Sequence, residues 1–144
     1  MNFSDVVLDV PKEAKVLGTI ITDNLKWDRN TEELVKKANK RMQLLFRASK
    51  FTKSRKDLKD IYVTFVRSIL ENSSVVWHSS LTKNNSRALE RIQKMAVRVI
   101  MGSQYQSYKK SLKTLNIDNL EIRREKLCPS FAKKCLQKLK HCYL

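Results

Sequence analysis

Residues 54–72 have the sequence SRKDLKDIYVTFVRSILEN, and this stretch decides the fold class. Its apolar residues recur at intervals of three and four, so they fall on one broad stripe of a helix. Ser54 is suited to cap that helix, because its hydroxyl can accept a hydrogen bond from a backbone N–H of the first turn. The stripe predicts the central core helix of the molecule, and it consists of Leu58, Ile61, Tyr62, Phe65, Val66, Ile69 and Leu70.

The same helical period continues from about residue 28 onward. It predicts four more helices, the first over 28–49 with Asn30 or Thr31 as its N-cap. The others are predicted over 82–101, capped by Thr82 and stopped by Gly102, over 107–115, and from 118 or 119 toward the C-terminus. Pro129 is expected to kink or interrupt the last helix. Residues 75–77 are predicted to form a connector whose middle is tucked against the core.

The first 27 residues show a different pattern. Apolar and polar residues alternate over 5–10, and residues 16–22 are rich in β-branched side chains. With a turn at 12–14, these stretches predict a hairpin that either lies on the helices or belongs to a sheet absent from the chain. We therefore predict a mainly α fold of about five helices with a short N-terminal β-hairpin, divided into residues 1–27, 28–101 and 102–144.

The composition excludes several classes of function. The 144 residues include 30 Lys and Arg against 14 Asp and Glu, a net charge of +16, which favours a polyanionic partner such as nucleic acid or an anionic membrane. With only two glycines, the chain cannot form a P-loop or a dinucleotide-binding fingerprint. No apolar run approaches the length of a membrane span, no signal-peptide pattern is present, and the cysteine count is odd. We expect an intracellular protein, nuclear or cytoplasmic.

No catalytic or metal-binding motif stands out. Cys128, Cys135 and Cys142 are spaced by seven residues, which places their sulfurs roughly 10.5 Å apart along a helix and too far apart for one zinc ion. With Phe131 and Leu139 they are expected to form a core-facing stripe. His78 and the serines after it lack the partners of a hydrolase. We predict no catalytic residue, cofactor or metal, and we expect Trp27 and Trp77 to be core anchors.

Two sets of basic residues carry the functional prediction. One set falls within about 40° of one line on the helix over 82–101 and extends roughly 22 Å, long enough to follow several phosphates of a duplex. A solvated surface is the alternative explanation, but Glu90 is the main acidic exception among these residues. We call this set the 83–98 basic face, which consists of Lys83, Arg87, Arg91, Lys94 and Arg98. The helix over 28–49 carries a 36–50 basic face, which consists of Lys36, Lys40, Arg47 and Lys50.

A further set of short motifs occurs in a fixed order between residues 14 and 136. They are 16–21 (VLGTII) with Leu25 and Trp27, 36–41 (KKANKR), 62–67, 69–71, 76–78, 89–94 with Ala96, Arg98 and Ile100, 115–116, and 120–124 (LEIRR). In their order and spacing they resemble the C-terminal part of the reverse transcriptase of jockey-like and other LINE-type non-LTR retrotransposons.

The resemblance implies a role for each segment. Residues 1–27 would be a primer-grip hairpin at the palm edge, 28–101 the thumb, and 102–144 its helical extension. Leu17 and Gly18 would lie near the primer backbone, the basic helices would hold the template–primer duplex, and Arg123 and Arg124 would join them. The chain departs from the family at Ser68 and Asn72, where relatives have Pro and Tyr, and at Pro129. These departures are expected to loosen the end of the core.

The family's catalytic apparatus is missing from the sequence. The fingers, the Tyr-x-Asp-Asp segment of the palm and an endonuclease domain are absent, and with them the carboxylates that hold two metal ions. We expect a truncated remnant of an RNA-directed DNA polymerase, with palm and fingers encoded upstream, that binds RNA–DNA or DNA duplexes with little sequence preference. The alternatives are a basic helical module that docks on a protein or an anionic membrane, and a decayed remnant without function.

Overall fold

The computed structural model describes residues 11–142, and within them the side chains of residues 11–138. In this part of the chain two strands precede six helices, which confirms the mainly helical fold with an N-terminal hairpin. The connector predicted at 75–77 forms a short helix, which is the one added to the five predicted helices. The elements are β1 (Glu13–Val16), β2 (Thr19–Thr22), α1 (Asp28–Phe51), α2 (residues 55–70), α3 (Ser74–Trp77), α4 (Lys83–Met101), α5 (Tyr108–Leu115) and α6 (Leu120–Cys142).

The hairpin forms from other residues than predicted. β1 pairs antiparallel with β2 and places Glu13 opposite Thr22, so the expected turn at 12–14 is wrong and the strand expected over 16–22 is broken. Leu17 and Gly18 form the turn, with φ of 48° and 84°. A type I′ hairpin turn has positive φ at both central residues, and glycine adopts such a φ without steric cost. The strand predicted at 5–10 lies outside the described residues.

The hairpin lies on the helices, which is the first of the two alternatives. The Ile20 N–H donates to Asn30 Oδ1 at 3.1 Å, and Ile21 packs against the core. Asn30 and Thr31 are therefore buried in the first turn of α1, and the prediction that one of them caps the helix is wrong. α1 begins at Asp28 instead, and its first backbone bond runs from the Thr31 N–H to the Trp27 carbonyl at 2.8 Å.

α2 contains a π-helical segment, Tyr62–Arg67, between the α-helical turns Arg55–Ile61 and Ser68–Leu70. Ser54 caps it as predicted, since its Oγ accepts the Asp57 N–H at 3.3 Å. A π segment has more residues per turn than an α-helix, so residues four apart stay on one line. The buried residues of α2 are accordingly spaced by four, and they are Leu58, Tyr62, Val66 and Leu70. Phe65 leaves that line and is 46% exposed, so its prediction as a core residue is wrong.

The central helix is α4 and not α2, because α4 contacts α1, α2, α5 and α6. α4 runs parallel to α1: Asn85 Nδ2 donates to Asp28 Oδ1 at 2.7 Å near their N-termini, and residues at the end of both helices line one pocket. One hydrophobic core extends from Trp27 through α4 to Leu120. Trp27 and Trp77 are 8% and 0% exposed, which confirms both as core anchors.

A buried polar network joins four segments of the chain around α4. Tyr62 donates its hydroxyl to Gln93 Oε1 at 2.5 Å, and Gln93 Nε2 donates to Tyr108 Oη at 2.9 Å. Tyr108 in turn donates to the Glu90 carboxylate, which also accepts the Leu120 N–H at 3.0 Å. A carboxylate at the start of a helix stabilises it through the exposed N–H groups and the helix dipole. Glu90 therefore anchors α6 to α4.

The end of the chain departs from two predictions. α6 continues through Pro129, so the interruption, one of the two effects expected of this proline, does not occur. Residues 129–138 are all exposed, so the core-facing stripe predicted through Phe131 and Cys135 is wrong, because this part of α6 extends past the core. The side chains of Leu139 and Cys142 lie outside the described ones. Leu70 and Trp77, near Ser68 and Asn72, are fully buried, and the loosening expected there stays a prediction.

Candidate nucleic-acid interface

The 83–98 basic face lies on the outer side of α4. Thr82 caps this helix as predicted, with its Oγ accepting the Asn85 N–H at 3.2 Å, and Gly102 follows its last residue with a φ of 53°. All five cations of the face are exposed, whereas Leu89, Ile92 and Ala96 are buried on the opposite side. The central helix thus presents a line of positive charge to solvent.

The 36–50 basic face has the same relation to α1. Its four cations are exposed, and Leu34, Ala38 and Leu45 are buried on the opposite side of the helix. α1 and α4 pack against each other side by side. Nine exposed cations therefore stand on two adjacent, parallel helices.

Neither basic face is neutralised by the carboxylates that the structure describes. No ion pair within 4.0 Å among residues 11–138 includes a member of either face. Glu33 pairs with Lys37, Glu71 with Arg67 and Arg123, and Asp118 with Lys126. Glu90 is the one acidic residue within the 83–98 face, and its oxygens accept hydrogen bonds from the Tyr108 hydroxyl and the Leu120 N–H.

Two tyrosines position the C-terminal cations of the 83–98 face. Lys94 Nζ lies 5.3 Å from the ring centre of Tyr108, and the Arg98 guanidinium lies 5.5 Å from that of Tyr105. A cation over an aromatic ring is stabilised by the negative face of the ring. These contacts limit the conformations of both side chains while their charges stay exposed.

A groove next to the 36–50 face extends the basic surface. It has a volume of about 710 Å³ and lies between α1 and the end of α2. Lys37 and Arg41 line it together with Lys40 and Arg47 of the face. Lys37 and Arg41 are not among the predicted contacts, although residues 34–56 contain nine Lys and Arg and no Asp or Glu. That gap in acidic residues is the signal that would have found them.

The hairpin residues lie at an exposed tip. Leu17 is 92% exposed, and a Cβ at Gly18 would lie 3.6 Å from Asn72 Nδ2. The turn therefore lies against the end of α2 with the Leu17 side chain free. Both residues are available for the backbone contact that the resemblance implies.

Arg124 is not part of the surface, which corrects its prediction as a nucleic-acid contact. It is 0% exposed, its Nη2 donates to Ser86 Oγ at 3.0 Å, and its guanidinium lies 5.8 Å from the Trp77 ring centre. Burial lowers the pKa of Arg124, and the nearby Glu90 carboxylate opposes that shift. Arg123 pairs with Glu71 and is 34% exposed at its side chain. These two arginines hold α6 on the bundle instead.

Within residues 11–142, no helix is both long and apolar enough to cross a bilayer. Among the side chains of residues 11–138, no group of three or more His, Cys, Asp or Glu is placed to hold a metal ion. Comparison with protein-family models, curated proteins and solved structures finds no match. The resemblance to LINE-type reverse transcriptases therefore stays a prediction from the sequence motifs.

Proposed function

We propose that this protein binds nucleic-acid duplexes without sequence preference. The observation that carries the proposal is the pair of basic faces on α1 and α4, whose nine exposed cations have no carboxylate partner among the described residues. Each face extends roughly 21–22 Å, and one strand of a duplex carries a phosphate about every 3.4 Å. Each face therefore matches about six successive phosphates.

The chemistry of these side chains explains the lack of sequence preference. All nine are Lys or Arg at exposed positions, and phosphate contacts fix the position of a protein on a duplex without distinguishing bases. The resemblance to LINE-type reverse transcriptases makes a template–primer duplex the preferred ligand. The chain would hold that duplex as the thumb and primer grip of an RNA-directed DNA polymerase. Polymerase chemistry itself is not proposed for these 144 residues.

The test is a binding series measured by fluorescence anisotropy. DNA and RNA–DNA duplexes of unrelated sequence should bind with affinities that agree within about threefold. The triple variant Arg87→Glu, Arg91→Glu, Arg98→Glu should weaken all of them by roughly a hundredfold at 150 mM salt, because three phosphate contacts are lost.

A matched triple variant controls for net charge. Lys12, Lys26 and Lys138 are exposed and lie outside both faces, so their change to Glu alters the charge equally. This control should lose much less affinity than the variant on α4. Equal losses in the two triple variants would show that only net charge attracts the duplex, and the proposal would fail.

A second candidate function rests on the exposed part of α6. Phe131 and Leu136 are 53% and 61% exposed, and they lie among Lys133, Lys134 and Lys138. Apolar and basic side chains on one exposed helix are typical of segments that lie on anionic membranes. Vesicles with anionic lipids distinguish the two candidates, since binding that depends on Phe131 and Leu136 but not on the basic faces would favour the membrane.

A further inference from the structure

A separate basic pocket lies between the start of α2, the turn after α4, and α5. Its volume is about 530 Å³, within the range of roughly 300–1,000 Å³ that small-molecule sites occupy. Arg55, Lys110 and Lys113 line it, together with Met101 and Ser111. None of these residues belongs to either basic face.

The positive charge of the pocket is not neutralised by nearby carboxylates among the described residues. Its lining contains three cations and no Asp or Glu, and none of the three cations has an ion pair within 4.0 Å among the described residues. A neighbouring pocket that shares Arg55 adds Lys56 and Lys59, again without a carboxylate. An anion entering here meets several cations and no repelling charge.

Ser111 provides a second, independent indication of a ligand. It is 1% exposed, it lines the pocket, and its Oγ has no hydrogen-bond partner among the described residues. A buried hydroxyl without a partner is destabilising, so nearly all such groups in folded proteins are satisfied. An oxygen atom of a bound anion would satisfy this one.

We propose that this pocket binds a phosphate monoester. Arg55 can form two parallel hydrogen bonds to phosphate oxygens, Lys110 and Lys113 supply point charges, and the Ser111 hydroxyl donates to the remaining oxygen. The pocket is larger than a phosphate group, and the Met101 side chain offers an apolar wall for the organic part. A nucleoside 5′-monophosphate fits this description, either as a free nucleotide or as the 5′-phosphorylated end of a strand.

The test titrates the full chain with adenosine 5′-monophosphate and with adenosine, by calorimetry. The nucleotide should bind at one site and adenosine at least tenfold more weakly. Ser111→Ala and Arg55→Gln should each reduce the nucleotide affinity about tenfold or more, because each removes a hydrogen bond to a charged group. Ser130→Ala and Arg29→Gln, at exposed positions elsewhere, are the matched controls and should bind as the wild type does.

Equal affinity for adenosine, or full nucleotide affinity in a folded Arg55→Gln variant, would overturn the proposal. Arg55 is exposed, so this variant decides the question even if Ser111→Ala fails to fold. Oligonucleotides with a 5′-phosphate or a 5′-hydroxyl identify the source: a preference for the phosphate that Ser111→Ala abolishes shows that the ligand is a strand end. The triple variant on α4 should keep nucleotide binding, so failure of this proposal and failure of the duplex proposal are distinguishable.

Discussion

Trp77 is the largest fully buried side chain of the core. It is 0% exposed, its Nε1 donates to the Asn72 carbonyl at 2.9 Å, and the Arg124 guanidinium lies against its ring. It joins the end of α2 to α6 through α3. Phe65, of similar apolar character, is 46% exposed because the π segment turns it outward.

We expect Trp77→Ala to lower the free energy of unfolding by about 3–5 kcal/mol, since the change leaves a large cavity in the core. Phe65→Ala should cost less than about 2 kcal/mol, because half of the ring is already in contact with water. Urea unfolding of both variants measures the difference. Equal costs would contradict the placement of Phe65 outside the core.

Tyr108 lies at the centre of the polar network. Burial, assisted by its hydrogen bond to Glu90, raises the pKa of Tyr108 well above its usual value of about 10. In the folded protein the phenol therefore keeps its proton above pH 10, whereas the unfolded chain releases it. The unfolded state then binds fewer protons, so the stability of the fold decreases as the pH rises above 10.

Tyr108→Phe should lower the free energy of unfolding by about 1–3 kcal/mol at pH 8, because the Glu90 carboxylate loses the hydrogen bond that the Tyr108 hydroxyl donates to it. Between pH 9 and pH 11 the wild type should lose about 1 kcal/mol of unfolding free energy that the variant does not lose, because only the wild type has the Tyr108 phenol that ionises in the unfolded chain. The difference in unfolding free energy between the two proteins should therefore narrow by that amount. Urea unfolding at several pH values measures both effects.

Tyr105→Phe, whose hydroxyl has no partner among the described residues, is the control and should cost less at pH 8. A difference that stays constant up to pH 11 would contradict the burial of the phenol.

Local chemistry made the helices predictable. Ser54, Thr82 and Ser107 each accept the backbone N–H three residues later, and such caps depend only on neighbours in sequence. The hairpin was misplaced because all four residues of β1 are exposed, so no buried face distinguishes this strand in the sequence. The π segment was not predicted, because the apolar stripe of residues 54–72 also fits an α period. The spacing of four from Leu58 to Leu70 is nevertheless present in the sequence.

The exposure of a candidate site residue could be predicted where it depends only on which face of a single helix the residue occupies. All nine cations of the two basic faces lie at exposed positions, since charge and period within a single helix determine which side meets solvent. Arg124 could not be assigned in this way. Its burial depends on Trp77, His78 and Ser86, which the fold brings together from distant parts of the chain.

α6 contains Pro129 in a helical segment whose following residues are exposed. Proline cannot donate to the carbonyl four residues earlier and costs about 3 kcal/mol in a helix interior. Pro129→Ala should therefore slow amide hydrogen exchange in α6 around this position, by up to about a hundredfold. The melting temperature should change little, because residues 129–138 do not contribute to the core. Exchange that stays unchanged would contradict a continuous helix through Pro129.

At the scale of the whole molecule, the distribution of charge depends on which cations and hydrogen-bond donors the carboxylates contact. Glu71 and Glu90 are engaged in contacts that attach α6 and α5 to the bundle, and Asp118 pairs with Lys126 of α6. The basic residues of α1 and α4 keep no such partners among the described residues. The same core that buries Leu34 and Leu89 turns both basic faces outward. Nine of the 30 Lys and Arg side chains thereby lie exposed in two rows, which would attract a polyanion.

The most direct test of this account is the salt dependence of duplex affinity. If roughly six of the nine cations contact phosphates, log K should decrease with log salt with a slope near −5 for a B-like duplex. The triple variant Arg87→Glu, Arg91→Glu, Arg98→Glu should keep its helicity, since these side chains are exposed, and should flatten the slope by about three. A variant that keeps both its helicity and the affinity and salt slope of the wild type would contradict the account.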